Sequence, residues 1–219
     1  IFLLTIALLF VYAGGQVAVM IADFIQGTFT NIVFVLLIAY FFFTIDWNNI
    51  MEALNLAQTS PDASLINPFK TSQVEDFNFW YFLIGLIGFV YNFMSWQGTQ
   101  AYNASAKSAH EAKMAQVLGN WRNYPRNIFL VFIPVIAITV MYHPSFAHIA
   151  EKVNAILFNA PSTEIQDQIR VPLVLRYTLP VGLIGAFAAV MLAAFISTHD
   201  TYLYSWGSIF IQDVIMPFR

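Results

Sequence analysis

Long apolar stretches alternate with polar connections along this chain, and their lengths point to membrane-crossing helices. A bilayer core takes about 20 apolar residues of helix. Five stretches meet or approach that length: residues 1–13, 17–45, 77–104, 124–142 and 177–215. The first reads as a truncated span, since the chain opens within the apolar run Ile1-Phe2-Leu3-Leu4. A fragment of a larger membrane protein is therefore expected. The second span carries Asp23 and Gln26 inside it, and the third is apolar at first and polar later. Gly14-Gly15 predicts a tight turn between the first two spans. No soluble domain fits between the spans.

The connections differ in character. Residues 105–123 form a short polar loop with Lys107, Lys113 and Arg122, and Arg126 follows it. Residues 46–76 and 143–176 are long loops in which acids outnumber Lys70, Lys152, Arg170 and Arg176. Lys and Arg favour the cytoplasmic side, which places 105–123 inside and the two long loops outside. Within the long loops, Trp47, Ile50, Met51 and Leu54 recur at helical spacing, as do Phe146, Ile149, Val153 and Ile156. Each set predicts a short amphipathic helix at the outer surface, either as interfacial packing or, for the second, as part of a lid.

Composition sharpens this picture. Apolar residues make up 59% and charged residues 10% of the chain. Ordinary soluble domains run nearer 45–50% and about 25%. A soluble domain, a disordered tail and a basic nucleic-acid binder are excluded. The net charge of −3 is too small to point to a partner. Cysteine is absent, so there is no disulfide framework and no thiolate metal site. The histidines form no ligand-spaced cluster, and no nucleophile triad or phosphate loop is present, so nothing argues for an enzyme.

Polar residues at membrane depth are costly, and their positions carry the functional information. With about 100° per residue, Gly85, Gly88, Asn92, Ser95, Trp96, Thr99 and Asn103 fall on one line of the third span. Asn92 lies 12 residues beyond Trp80, about 18 Å in from the outer interface. Small-residue packing with amide glue and the wall of a solute cavity both account for such a stripe. The run Asn92 to Gln100 holds more hydrogen-bonding capacity than packing needs, and Gly98 eases a local break. On the second span Asp23, Gln26, Gly27 and Thr30 share a face. An unpaired carboxylate at that depth costs at least about 2.5–3.5 kcal/mol, so it is neutralised by a cation or proton or it lines water. The spans offer no Arg or Lys at matching depth as a structural partner. On the fifth span Ser197, Asp200, Thr201, Tyr204 and Ser208 make one face, with Thr198 at its edge and His199 on the other side. Spans two and five run antiparallel in this topology, so Asp23 and Asp200 reach the same depth. The hydroxyls and the Ala194 carbonyl form a set of hard oxygens suited to a small monovalent cation. Back-bonding of Ser and Thr to the preceding helical turn is the plainer alternative.

Four stretches give the chain a resemblance to the sodium:solute symporter family, the group containing the sodium/glucose cotransporters and the sodium/proline symporter. Gly14-Gly15-x-x-Ala18-Val19-x-x-x-Asp23-x-x-Gln26 resembles the family's fifth core helix. Trp96 with Ala106-Lys107-Ser108-x-x-Glu111-Ala112 is similar to the sixth helix and the loop after it. Leu179-Pro180-Val181-Gly182 looks like the start of the eighth, and Ala194-x-x-Ser197-Thr198 with Ser208 and Asp213 like its sodium-site region. The resemblance implies an all-α membrane protein, part of a five-plus-five inverted-repeat helix bundle, holding core helices 4 to 8. Core helices 1 to 3 and 9 to 10 would belong to the remainder of the same transporter.

It also implies roles. Sodium would be held by the carbonyl of Ala194 and the hydroxyls of Ser197 and Thr198, with further carbonyls from the broken first helix. A second sodium or proton site would use Asp23, Asp200 and Thr201. An aspartate at 200 departs from the family's hydroxyl pattern, and two carboxylates there either strengthen sodium binding or share a proton. Sugar-transporting members place an asparagine and a tyrosine gate on the sixth helix and a lysine on the seventh. Asn92 matches the asparagine, whereas Ser95 stands at the gate, and Tyr124 or no residue stands at the lysine. The expected function is a sodium-coupled symporter, multi-pass in the plasma membrane. It would import a small polar solute held against Asn92, Ser95, Trp96 and Gln97. A sugar is the first expectation, an amino acid or small carboxylate the second. A transporter-like sensor domain of a signalling protein is the rival from another class, and a helix-bundle subunit without transport another. The expected partners are the solute, sodium and the lipid bilayer, with no nucleic acid.

Overall fold

The computed structural model describes residues 2–58, 64–67, 79–95 and 97–218. The side chains of residues 79, 81, 82, 92–99 and 101 lie outside the description, as does the whole of Trp96. Among the described residues eight α-helices follow in order: α1 Phe2–Thr44, α2 Trp47–Leu56, α3 Phe79–Ser95, α4 Gln97–Ala104, α5 Ala109–Tyr142, α6 Ala147–Phe158, α7 Thr163–Thr178 and α8 Val181–Ile209. A π-helical stretch, Phe210–Ile215, and a 3-10 turn, Met216–Phe218, extend α8. No described residue lies in a strand. Phe2–Thr44, Ala109–Tyr142 and Val181–Phe218 are each long and apolar enough to cross a membrane. The chain is an all-α membrane protein.

A straight 43-residue rod would run about 64 Å, twice the hydrocarbon thickness. The break that sequence predicts at Gly14-Gly15 falls at Gly15, where φ is 56° and ψ is −153°. Only glycine enters that region freely, and a side chain there costs about 1–3 kcal/mol. Gly15→Ala is therefore expected to lower the thermal midpoint of the detergent-solubilised protein. An unchanged midpoint would show that the break does not depend on glycine.

The contacts cluster in two units, each spread over several helices. One comprises Phe34–Gly88 and Tyr124–Gly185. Its core is Leu37 and Phe41 of α1, Ile136 and Val140 of α5, Val153 of α6 and Val174 of α7, all fully or almost fully buried. Phe34 stacks on Phe129 with ring centroids 4.1 Å apart and planes at 6°. The Tyr40 hydroxyl donates to the Thr178 carbonyl at 3.0 Å and fixes the end of α7 to α1.

Trp47, Ile50, Met51 and Leu54 lie in α2, and Ile149, Val153 and Ile156 in α6, whereas Phe146 falls in a 3-10 turn just before α6. Asp46 caps α2 by accepting from the Asn48 N–H, and Ile50 and Ala53 face inward. On α6, Ala150, Val153 and Leu157 are buried. The structure adds α7, where the sequence pattern showed only loop. Ser162 caps α7 by accepting from the Ile165 N–H. A hydrogen bond from Ser162 and one from its own backbone hold the Glu164 carboxyl below its ordinary range. The segment 105–123, read from sequence as a polar loop, is helical from Ala109.

His143 links α2 to the turn that precedes α6. It is 7% exposed, and its Nδ1 accepts from the Ser145 N–H at 3.2 Å. The proton must then sit on Nε2, which donates to Glu52 at 3.2 Å. Truncation would strip both partners from a nearly buried site. His143→Ala is expected to destabilise this unit by about 1–3 kcal/mol. Glu52→Ala should cost less, because that carboxylate is largely exposed to water. Chemical denaturation followed by tryptophan fluorescence would compare them; equal effects would contradict the assignment of His143 as the anchor.

The other unit comprises Ile1–Val33, Phe89–Asn123 and Ala186–Arg219. Its apolar side chains are mostly exposed, among them Val17, Ile21, Phe24 and Ile25 on α1 and Met191 and Leu192 on α8. Such a surface suits lipid or neighbouring membrane helices, where burial away from water does not require a packed soluble core. It buries Ala7, Val19, Val33 and Val190, and with them the polar Asp200 and Ser205, which lie beside a cluster of polar side chains.

Candidate functional site

Asp23 is the focus of that polar cluster. The Ser197 hydroxyl of α8 donates to its Oδ1 at 2.5 Å. The Thr201 hydroxyl, one turn further along α8, donates to Oδ2 at 3.4 Å. The Tyr102 hydroxyl of α4 donates to the same Oδ2. Spacing of three and four residues on α8 puts these groups on one face, as the helical period requires. Tyr204 continues that face and donates to Gln16 Oε1 at 2.9 Å, again joining α8 to α1. Ser208 returns its hydroxyl proton to the Tyr204 carbonyl at 2.9 Å, so it serves its own helix. Gln16, Tyr102, Thr201, Tyr204 and Ser205 border a small cleft beside this network.

Asp200 sits next to it in a different condition. It has no exposed surface, and neither carboxylate oxygen has a donor among the described residues. The charge of Asp23 acts on it directly. Two carboxylates thus stand as neighbours within this unit. One is surrounded by hydroxyl donors and the other by none. His199 points elsewhere: its Nδ1 bonds the Phe195 carbonyl at 2.7 Å and its ring stacks on Phe195 at 4.0 Å. It is a satisfied structural histidine.

The donor chemistry fits a small hard cation. A hydroxyl that gives its proton to Asp23 keeps its lone pairs, so Ser197, Thr201 and Tyr102 can ligate a cation without releasing the carboxylate. The two orphaned oxygens of Asp200 supply the acceptors that a cation would satisfy. No group of three His, Cys, Asp or Glu side chains suited to a metal exists among the described residues. The oxygen set is one of carboxylates and hydroxyls, without soft ligands.

Of the residues singled out from sequence, Asp23, Ser197 and Thr201 are brought together, with Asp200 beside them. Ala194 and Thr198 lie on the exposed side of α8. The solute-facing candidates Asn92, Ser95 and Gln97 fall where side chains are outside the description, and Trp96 is outside it altogether. Tyr102 and Gln16 did not emerge from the sequence pattern. Their signal was weak: a tyrosine near a membrane boundary is ordinary.

One expectation about Asp23 needs correction. The sequence offered no cation at its depth, yet Arg122 of α5 reaches α1. Its Nη2 lies 2.8 Å from where a Cβ on Gly27 would stand, one turn from Asp23, and its charge acts on Tyr102. The sequence pattern puts Arg122 in a loop, whereas the helix that begins at Ala109 carries it to α1.

No curated protein and no solved structure gives a significant match to this chain. A family profile does, that of the sodium:solute symporter family, and it covers residues 1–219. Members of that family are transporters rather than enzymes. With polar groups converging between apolar helices and a profile match along its whole length, the chain belongs to the sodium:solute symporter family.

Proposed function

We propose that sodium binds at the Asp23 centre, with Ser197 and Thr201 as hydroxyl ligands and Asp200 as the neighbouring charge. Its gradient then drives uptake of a small polar organic solute by alternating access. The observation that carries this is the contrast between the two acids: Asp23 gathers three hydroxyls, whereas Asp200 is wholly buried with no donor among the described residues. Ser197 would be shared with a second oxygen set, formed with the Ala194 carbonyl and the Thr198 hydroxyl on the exposed side of α8. The remaining ligands of that set would come from other helices of the full transporter.

Solute would sit near the midplane against Asn92, Ser95, Trp96 and Gln97, following the logic of inverted-repeat carriers. A sugar is the first choice of class, an amino acid or small carboxylate the second. The energetics suffice. One cation moving down 100 mV yields about 2.3 kcal/mol. A tenfold sodium gradient adds about 1.4 kcal/mol. Together, about 3.7 kcal/mol sustains several-hundredfold solute accumulation per ion.

A thermal-shift screen of the full transporter tests this directly. Sugars, amino acids and small carboxylates are compared in sodium and in choline at equal ionic strength. One class should raise the melting temperature in sodium alone. Equal shifts in choline, or none from any class, would remove the reading.

A further inference from the structure

We propose that Arg122 is a tethered counter-ion for the Asp23 centre, seated in a notch that Gly27 leaves open, and that its charge opposes sodium there and promotes the ion's release. The inference rests on the reading of Asp23 as a sodium site. It goes beyond that reading by assigning a positioning residue that touches neither ion nor solute.

The geometry is specific. A Cβ on Gly27 would stand 2.8 Å from Arg122 Nη2, 3.1 Å from Cζ and 3.5 Å from Nη1. The guanidinium therefore occupies space beside α1 that a side chain at position 27 would contest. Gly27 is four residues from Asp23, about 6 Å along the helix axis and on the same face. Arg122 also acts electrostatically on Tyr102, which donates to Asp23. The cation thus addresses the carboxylate across one helical turn and through one hydroxyl, with no ion pair between Arg122 and Asp23.

A positive charge at that range does two things. It stabilises the carboxylate when sodium is away, which relieves the cost of a naked acid at membrane depth. It also weakens sodium binding by repulsion. The arginine belongs to α5, so any movement of the Ala109 end of that helix relative to α1 changes both effects together. Seated, Arg122 favours an empty centre; withdrawn, it favours an occupied one. Coupling ion release to helix position in this way needs no contact between Arg122 and the ion.

The glycine supplies a clean variant. In Gly27→Ala the new methyl meets the far end of a flexible side chain, so Arg122 moves aside while the helix gains a better helix former. The experiment is equilibrium binding of radioactive sodium to the full transporter, with choline holding ionic strength constant. Arg122→Gln and Gly27→Ala should each bind sodium about three- to tenfold more tightly than wild type, the size expected for one charge a helical turn away in a partly hydrated site. Arg122→Lys should stay near wild type. Adding Gly27→Ala to Arg122→Gln should change nothing further, because the displaced charge is already gone. Unchanged or weaker sodium binding in Arg122→Gln overturns the proposal, as does a Gly27→Ala effect that persists without Arg122. A parallel Asp23→Asn sample separates the two levels. If it binds like wild type, the sodium reading falls and this inference with it. If it loses binding while the Arg122 and Gly27 variants match wild type, the role of Arg122 alone falls.

Discussion

Asp23→Asn should weaken sodium binding by about 100-fold or more, equivalent to about 2.7 kcal/mol. That lies within the roughly 2–5 kcal/mol lost when one member of a buried, hydrogen-bonded charged set is removed. The reason is convergence. Three hydroxyls from two helices direct their protons at this carboxylate, so it fixes their orientation as well as supplying charge. The amide of asparagine keeps one acceptor oxygen but presents N–H groups where the other stood. Ser197 or the Tyr102–Thr201 pair would then face a donor. Asp23→Ala goes further and leaves all three hydroxyls without their acceptor. Its thermal midpoint in sodium-free buffer should fall below that of Asp23→Asn, since a stranded hydroxyl costs about 1–3 kcal/mol when fully buried and these three are part-buried. Sodium binding by Asp23→Asn within about threefold of wild type would end the assignment of this centre. So would equal stability of the two variants, because it would mean the hydroxyls have other acceptors.

Much of this centre was readable from sequence because membrane helices make polar residues conspicuous. Asp23 stands out as a charge within an apolar stretch, and the period of 3.6 places Ser197, Thr201 and Tyr204 on one face of α8. An antiparallel order of the spans is then what would bring the two acids to one level. What the pattern hid was whatever came from helices lacking a strong period. The regular alternation of α6 was visible, whereas α7 carries polar residues on most sides and Pro172 within it. Its helix rests on the Ser162 cap and on the burial of Val174 and Leu175. Arg122 was hidden for a related reason. Its neighbourhood is polar enough to pass for a loop, and two prolines, Pro125 and Pro134, follow in the same helix. A proline removes one helical N–H and disfavours a helix locally. Here the packed residues from Phe129 to Val140 hold α5 together on both sides of Pro134. The exposed positions of Ala194 and Thr198 on α8 lay beyond the reach of periodicity as well. The helical period ranks residues by face, but which face meets another helix is decided by tertiary packing.

Asp200→Asn should raise stability in sodium-free buffer while reducing the stability that sodium adds. A wholly buried carboxylate with no donor among the described residues is among the costliest groups a protein can hold. Its neighbour Asp23 adds repulsion rather than relief. Asparagine keeps the shape, removes the charge and leaves only an amide to be satisfied. The expected gain without sodium is about 1–3 kcal/mol, in the range seen when buried charges give way to neutral groups. Sodium reverses the comparison. An ion at one hundred times its dissociation constant stabilises the state it binds by about 2.7 kcal/mol. The asparagine variant, with one negative charge fewer at the centre, should forfeit most of that increment at the same sodium concentration. The two melting curves should therefore cross as sodium is titrated, with the variant ahead at zero sodium and wild type ahead at saturation. Sites that hold strain for the sake of a ligand show this exchange of stability for function. If the variant is less stable than wild type without sodium, Asp200 has a structural partner and is not held in reserve for an ion. If both gain equally from sodium, the ion binds elsewhere.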